Sequence, residues 1–131
     1  PDSIALTRHA VGLGVRGTLT LPPFFYKPLT EDGLVASFAA IIDAVGSSDL
    51  RLYLYHIPQM TGVPITLPLI ERLLKAYPHT IAGLKDSSGN WDNTAAVIAA
   101  FPESKPIRLR NRCWSGMSVQ AGRAVSAPAP M

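Results

Sequence analysis

The sequence predicts an α/β fold in which helices flank a parallel β-sheet. Helical and strand patterns alternate along the chain, and the strand patterns recur about every 30 residues, the length of a βαβ unit. The hydrophobic fraction of 47% is sufficient for a buried core. Because βαβ connections are short and right-handed, we expect consecutive strands to lie side by side or nearly so.

The first half of the chain predicts two helices separated by a strand. Residues 3–13 are typical of a helix, and the glycines at its end favour termination. Residues 16–25 are typical of a strand, which two consecutive prolines stop. Thr30 can cap a helix that extends to about Val45. The apolar residues of this helix fall on one stripe: Leu34, Phe38, Ile41, Ile42 and Val45.

The second half of the chain continues the alternation. After a strand closed by Pro58, a loop reaches Pro64, and Thr66 can cap the next helix. The last helix is rich in alanine and ends before Pro102. The predicted elements are a strand at 50–57, a helix at 66–77, a strand at 80–85, a helix at 91–101 and the start of a fourth strand at 106–109.

Lys85 stands at the end of an apolar strand pattern, before a polar turn that contains glycine. A lysine is unusual there because burying an ammonium costs free energy, and desolvated lysines form Schiff bases with carbonyl substrates. Tyr55 lies one βαβ repeat earlier, also near a strand end. Ligands bind at the carboxyl ends of parallel strands, so both side chains can point into one site, where a tyrosine can relay protons.

The same residues also allow simpler interpretations. Lys85 can lie just past the strand and extend into solvent. Tyr55 can be a strand tyrosine whose ring packs and whose hydroxyl bonds to any partner. His56 could act as a base, but we favour a hydrogen-bonded structural role for a histidine at a strand end. From these residues alone the role of Lys85 stays open.

Composition disfavours several classes of protein and site. Cys113 is the only cysteine, so no internal disulfide can form, which fits a reducing compartment. The first residues do not resemble a signal peptide, and no apolar run is long enough to cross a bilayer, so we expect a cytoplasmic protein without a membrane segment. Three scattered histidines give no metal-ligand spacing, and the phosphate-binding glycine patterns are absent from the sequence.

Three motifs carry a resemblance to a known family. They are LPPFFYKP at residues 21–28, LYHIPQMTG at residues 54–62 and GLKDSSG at residues 83–89. In this order and spacing they resemble the dihydrodipicolinate synthase / N-acetylneuraminate lyase family, over roughly residues 3–104. The resemblance implies a (β/α)8 TIM-type barrel, of which this chain would be the central portion, about half.

The resemblance also implies an activity. Members of this family are Schiff-base aldolases and lyases that form or cleave a carbon–carbon bond of a pyruvate-like 2-oxo acid. Lys85 matches their imine-forming lysine, and Tyr55 matches the tyrosine that shuttles protons. No metal or organic cofactor is expected, because the protonated imine is the electron sink. The expected partners are a small 2-oxo acid such as pyruvate and further copies of the chain in a homo-oligomer.

The chain departs from the family pattern at two substrate-binding positions. Phe25 stands where the synthases carry a second tyrosine, and Met60 stands where they carry an arginine for the second substrate's carboxylate. Without the guanidinium, a dicarboxylate substrate loses a bidentate contact. Both departures favour a family aldolase or lyase that acts on another 2-oxo acid, such as a deoxy sugar acid.

The C-terminal segment differs from the rest of the chain. Residues 105–131 have five basic and no acidic residues, a charge of +5, whereas residues 1–104 have seven basic and nine acidic residues, a charge of −2. We therefore divide the chain into a partial barrel of three to four β/α units at 1–104 and an atypical basic tail at 105–131, for which an altered reading frame is one explanation. Nucleic-acid binding through the tail is a disfavoured interpretation.

The length of the chain, 131 residues, suggests an alternative to an active enzyme. A full barrel needs about 250 residues, and the strand that should hold the substrate carboxylate would precede residue 1. Half a barrel leaves sheet edges unpaired and apolar surfaces uncovered. The alternative to an active enzyme is therefore a truncated, inactive chain that acts, if at all, by associating with another chain.

Overall fold

The computed structural model describes residues 1–101 and the strand at residues 108–111. The predicted tail therefore lies outside the described residues except for this strand, and Cys113 lies outside them too. The helices are α1 (Asp2–Gly12), α2 (Glu31–Val45), α3 (Pro58–Thr61), α4 (Leu67–Ala76) and α5 (Trp91–Ala100). The strands are β1 (Thr18–Thr20), β2 (Leu52–His56), β3 (Ile81–Asp86) and β4 (Arg108–Asn111).

The four strands form one parallel sheet. Their order is β1-β2-β3-β4, so each strand pairs with its neighbour in sequence. This order confirms the side-by-side arrangement that the alternating pattern predicts. It also brings the carboxyl ends of β2 and β3 together at one edge, and this is what positions the site.

The core lies between one face of the sheet and the helices. Leu52 and Leu54 of β2 are fully buried, and the residues between and after them, Tyr53 and Tyr55, are only half-buried on the other face. This alternation is what a strand with one covered face requires. The core comprises Leu34, Phe38, Ile41, Ile42, Leu50, Leu52, Leu54, Val63, Ile65, Leu69, Ile70, Leu73, Ile81, Leu84, Val97 and Phe101.

Helix α2 begins and ends where the sequence predicts. The Thr30 side chain accepts a hydrogen bond from the Gly33 backbone N–H at 3.1 Å and caps the first turn. Gly46 ends the helix in the left-handed conformation, with φ of 61°. Arg72 of α4 bridges to Glu31 at 3.0 Å and to Asp32 at 2.7 Å, which ties the two helices together on the surface.

Two predicted elements need correction. Residues 16–25 do not form one strand: β1 is limited to Thr18–Thr20, and Pro22 and Pro23 follow it without the N–H groups that a ladder needs. The loop expected before Pro64 contains the short helix α3, which begins at Pro58 and ends at a left-handed Gly62. The described fourth strand, Arg108–Asn111, confirms the strand that the sequence predicts to start at 106–109.

Gly46→Ala is expected to destabilise the chain by about 1 kcal/mol, because alanine rarely adopts the left-handed conformation that ends α2. A Cβ there would meet only the Asp43 carbonyl oxygen, at an ordinary 3.5 Å, so the cost comes from the backbone rather than from a clash. Gly12→Ala is the control, since it lies in α1 with no atom within 4 Å of its Cβ and should be neutral or stabilising. Urea unfolding measures both; equal midpoints for the two variants would contradict this account.

Candidate active site

Lys85 and Tyr55 lie beside each other on neighbouring strands. The parallel register pairs Tyr55 of β2 with Lys85 of β3. The Lys85 Nζ donates a hydrogen bond to the Tyr55 Oη at 3.1 Å and lies 4.2 Å from the centroid of the tyrosine ring. Both side chains are half-buried, so they remain accessible to a small molecule. The structure thus brings together the two residues that the sequence singles out.

The surrounding strands explain why both side chains project from the same face of the sheet. This is the face opposite the one that packs on the core, and we call it the open face. On β2, Tyr53 and Tyr55 share this face, and on β3, Gly83 and Lys85 share it through the same register. Gly17 directly precedes β1, and a Cβ at Gly17 would come within 2.6 Å of the Tyr53 ring. The Tyr53 ring therefore packs closely against backbone, and the glycine allows that approach.

The electrostatics of the pair favour loss of the phenolic proton. The hydrogen bond from Lys85 is the largest cause that lowers the pKa of Tyr55, and a side-chain hydrogen bond from Ser87 lowers it further. Burial acts in the opposite direction, but the net result is a pKa below the ordinary value for tyrosine. A phenol with a lowered pKa gives up its proton more readily than a free tyrosine, and a pKa closer to neutral pH suits a group that must both give and take a proton.

Asp86 anchors the opposite face of the same strand end. Its side chain is buried, and its Oδ1 accepts hydrogen bonds from the Ser88 N–H at 2.9 Å and the Ser88 hydroxyl at 2.6 Å. Its Oδ2 accepts from Asn93 at 2.9 Å and Thr94 at 2.8 Å. Burial by itself raises the pKa of Asp86, but these hydrogen bonds together outweigh it and hold the pKa below the ordinary value. Asp86 thereby fixes the turn that follows Lys85.

His56 has a structural role, in agreement with the interpretation favoured from the sequence. It is buried on the face opposite to Tyr55, and its Nδ1 accepts a hydrogen bond from the Ile65 N–H at 3.0 Å. An Nδ1 that accepts carries no proton, so the ring is neutral. Burial lowers the pKa of His56, and the nearby charge of Asp86 only partly opposes that shift. The histidine therefore holds the segment after α3 rather than serving the open face.

Asp86→Asn is expected to destabilise the chain by about 2–3 kcal/mol at neutral pH, because an amide cannot accept all four hydrogen bonds. The lowered pKa means that the stabilisation by the carboxylate is present above its unfolded pKa of about 4 and is lost as the pH falls through the folded value. Urea unfolding at neutral and acid pH measures both effects. The exposed Asp92→Asn is the control, and an equal loss in the two variants would contradict this role.

Phe25 and Met60 lie on the surface. Their side chains are 84% and 77% exposed. The Phe25 ring meets the Tyr26 ring edge-on, with the centroids 5.1 Å apart. Within residues 1–101, no ring contact or hydrogen bond joins either side chain to Lys85 or Tyr55. The structure therefore does not place these two residues against the pair, and their role in substrate binding stays a prediction.

Sequence reasoning missed two residues at the rim of the site. Gln59 of α3 donates a hydrogen bond from its Nε2 to the Ser87 carbonyl oxygen at 2.6 Å. The Ser87 N–H donates to the His56 carbonyl oxygen at 2.8 Å, which extends the pairing of β2 and β3 past Asp86. The available signal was spacing: Ser87 lies two residues after Lys85 and so falls on the same face.

A cavity of about 390 Å³ lies apart from the pair, where the loop after β1 meets the segment between α3 and α4. It is lined by Lys27, Pro28, Leu29, Glu31, Leu34, Gly62, Val63, Pro64 and Thr66. Neither Lys85 nor Tyr55 lines it, so the candidate chemistry rests on the pair and not on this cavity.

The described part of the chain has neither a metal-binding cluster nor a membrane-spanning helix. Among residues 1–101 and 108–111, no three His, Cys, Asp or Glu side chains come together in a way that could hold a metal ion. The helices described there lack the length and hydrophobicity that a membrane span requires.

Comparisons with known proteins agree in pointing to one family. The model of the Dihydrodipicolinate synthetase family matches residues 1–118. A DapA-like lyase of Chloroflexus aurantiacus is 42% identical over 133 residues, covering 98% of this chain and 44% of the relative. Dihydrodipicolinate synthase from Agrobacterium tumefaciens has 33% identity and a TM-score of 0.76, over 84% of this chain and 37% of that one. YagE, a prophage protein of the dihydrodipicolinic acid synthase family from E. coli K12 in complex with pyruvate, has 26% identity and a TM-score of 0.72, over 82% and 35%.

The coverage values also define what this chain represents. It spans less than half the length of each of these relatives. Its parallel strands and helices superpose on part of their structures, so the fold is a portion of a (β/α)8 barrel, as the resemblance implied. The family match continues to residue 118, beyond the division that charge suggested near residue 104.

Proposed function

Because the chain belongs to the dihydrodipicolinate synthetase family, we propose that it carries the imine-forming site of a Schiff-base lyase or aldolase. The proposed substrate is a pyruvate-like 2-oxo acid, whose carbon–carbon bond the whole protein would form or cleave. The observation that carries the proposal is the 3.1 Å hydrogen bond between the Lys85 Nζ and the Tyr55 Oη at the carboxyl end of two parallel strands. The pyruvate complex of the E. coli relative supports this substrate class.

The first step is imine formation at Lys85. The neutral amine attacks the 2-oxo carbon, a C–N bond forms as the C=O π bond breaks, and a net proton passes from the nitrogen to the former carbonyl oxygen to give a carbinolamine. The C–O bond then breaks, water leaves, and a protonated imine remains. Tyr55 lies within hydrogen-bond reach of the reacting nitrogen, so its phenol can give a proton to the departing hydroxyl and later recover one.

The protonated imine then supports carbon–carbon chemistry. It withdraws electrons from the adjacent carbon, which loses a proton to a base and becomes an enamine. The enamine carbon forms a bond to the carbonyl carbon of an aldehyde while the C=O π electrons move to the aldehyde oxygen, which takes up a proton, and the protonated imine re-forms. The reverse sequence cleaves the carbon–carbon bond. Water finally attacks the imine carbon, which releases the product and regenerates the Lys85 amine. The imine itself accepts the electron pair, so the scheme uses no further cofactor.

The second substrate is proposed from the residues at the two variant positions. Phe25 and Met60 are uncharged and exposed, so they offer no bidentate partner for a second carboxylate. An aldehyde with hydroxyl groups, as in a deoxy sugar acid, suits such a surface better than a dicarboxylate. We further propose that the protein forms a homo-oligomer and is cytoplasmic. The division of the chain into a partial barrel and a basic tail at residues 105–131 is also a proposal.

The proposal is tested by trapping the imine. The chain is mixed with pyruvate and borohydride, and its intact mass is measured beside a sample that received lactate, which has no carbonyl at that carbon. We expect one reduced adduct with pyruvate and none with lactate. A chain that is folded by circular dichroism yet gains no adduct would overturn the proposal in favour of a truncated, inactive chain that acts, if at all, by associating with another chain.

A further inference from the structure

Ser87 is held beside Tyr55 by its backbone. It follows β3 directly, and its N–H bonds to the His56 carbonyl oxygen at 2.8 Å. Because side chains alternate along an extended segment, Ser87 shares the open face with Lys85, two residues earlier. Lys85 is the register partner of Tyr55, so Ser87 is diagonal to Tyr55, within the reach of neighbouring side chains.

Gln59 fixes the other side of the Ser87 peptide. Its Nε2 donates to the Ser87 carbonyl oxygen at 2.6 Å. Gln59 belongs to α3, whose end is secured by the Gly62 N–H bonded to the Pro58 carbonyl oxygen at 2.7 Å. Ser87 therefore has both backbone polar groups bonded, and its half-buried side chain has a defined position at the rim of the site.

We infer that Ser87 is a positioning residue for Tyr55, whose phenolic oxygen receives a hydrogen bond from the Ser87 hydroxyl beside the one from Lys85. The inference rests on the proposed function and adds a residue to that site. With two donors on its oxygen, the phenol is held in one orientation, and its own proton is free to point at the substrate oxygen. The same donors stabilise the phenolate that remains after the proton has been given.

The charges around Tyr55 agree with this assignment. After Lys85, the hydrogen bond from Ser87 is the next cause that lowers the pKa of the Tyr55 phenol. Lys85 is the titratable group that faces the phenol from β3, whereas His56 and Asp86 lie on the opposite face. From β4, Arg110 is the backbone register partner of Lys85, and Gln59 of α3 is uncharged.

The test compares three serine variants. Ser87→Ala removes the donor, Ser87→Thr keeps a hydroxyl, and Ser88→Ala is the matched control because its hydroxyl bonds to Asp86 instead. Tyr55 is titrated by ultraviolet absorbance, with Tyr55→Phe subtracted to remove the other tyrosines. We expect Ser87→Ala to raise the Tyr55 pKa and to slow imine trapping about five- to tenfold. Ser87→Thr and Ser88→Ala should leave the Tyr55 titration in place.

A double variant separates positioning from a general structural effect. In the Tyr55→Phe background, Ser87→Ala should slow trapping no further, because the phenol it serves is gone. An unchanged Tyr55 titration in Ser87→Ala, or the same loss of rate with and without the phenol, would overturn the inference. The titration needs no imine, so a chain that shows the Ser87 effect on Tyr55 but traps no pyruvate would refute the proposed function alone.

Discussion

Lys85→Ala should abolish the pyruvate adduct that borohydride traps. The imine forms through a C–N bond, and only the amine of the lysine can make that bond. In the described part of the chain, the amine that is hydrogen-bonded to the Tyr55 phenol is that of Lys85. The expected loss is complete at pyruvate concentrations that modify the unaltered chain once. Intact mass measures the loss, and circular dichroism shows whether the variant is folded.

Matched variants show whether the loss is specific to the nucleophile. Lys85→Arg keeps a positive charge near Tyr55, but a guanidinium cannot be deprotonated under these conditions and should form no imine. Lys75 is exposed and lies 3.8 Å from Glu71, so Lys75→Ala should keep the full adduct. An undiminished adduct in Lys85→Ala would contradict the assignment of the nucleophile.

Tyr55→Phe should slow imine formation by about 10²-fold without preventing it. The substitution removes the hydroxyl that lies 3.1 Å from the Lys85 Nζ, while the ring that the ammonium contacts remains. The carbinolamine then loses water without a positioned proton donor. The time course of borohydride trapping measures the rate, and the final extent of modification should approach that of the unaltered chain.

Tyr53→Phe is the control for Tyr55→Phe. Tyr53 lies on the same strand and the same face, and its register partner is Gly83 instead of Lys85. Its ring packs near Gly17, so the variant keeps the packing and loses a hydroxyl away from the amine. We expect its trapping rate to be within about twofold of the original, since it removes no positioned proton donor. Equal slowing by the two variants would contradict a specific role for the Tyr55 phenol.

Local signals in the sequence were sufficient to predict most helix boundaries. Thr30 and Gly46 delimit α2 because a hydroxyl at the cap and a glycine in the left-handed conformation satisfy the helix ends locally. Thr66 caps α4 in the same way, accepting from the Leu69 N–H. The strand order followed from alternation alone, because short right-handed connections leave few other arrangements.

The remaining elements depend on contacts that sequence does not display. The residues before Pro22 have a strand pattern, but β1 pairs with β2 through three residues only, and Pro22 and Pro23 follow it without the N–H groups that a ladder needs. Helix α3 is a single turn after Pro58, too short to produce an apolar period. Its position nevertheless matters, because it carries Gln59 to the Ser87 carbonyl.

The site was predictable as a pair but not as a network. The spacing of Tyr55 and Lys85 by one βαβ repeat predicted their meeting, because parallel register converts that spacing into adjacency. The four hydrogen bonds to Asp86 come from residues later in the turn and in α5, where local polar composition gives no unique pairing. Phe25 and Met60 were predicted from their positions in the motifs. Their side chains are exposed, and no hydrogen bond described within residues 1–101 joins them to Lys85 or Tyr55.

The most direct test of the central claim is a peptide map of the chain after pyruvate and borohydride. Digestion followed by fragmentation mass spectrometry assigns the reduced adduct to a residue. We expect it on Lys85, in the peptide that continues into Asp86 and Ser87. An adduct distributed over exposed lysines such as Lys27 and Lys75, with Lys85 unmodified in a folded chain, would contradict the claim that this strand end is an imine-forming site.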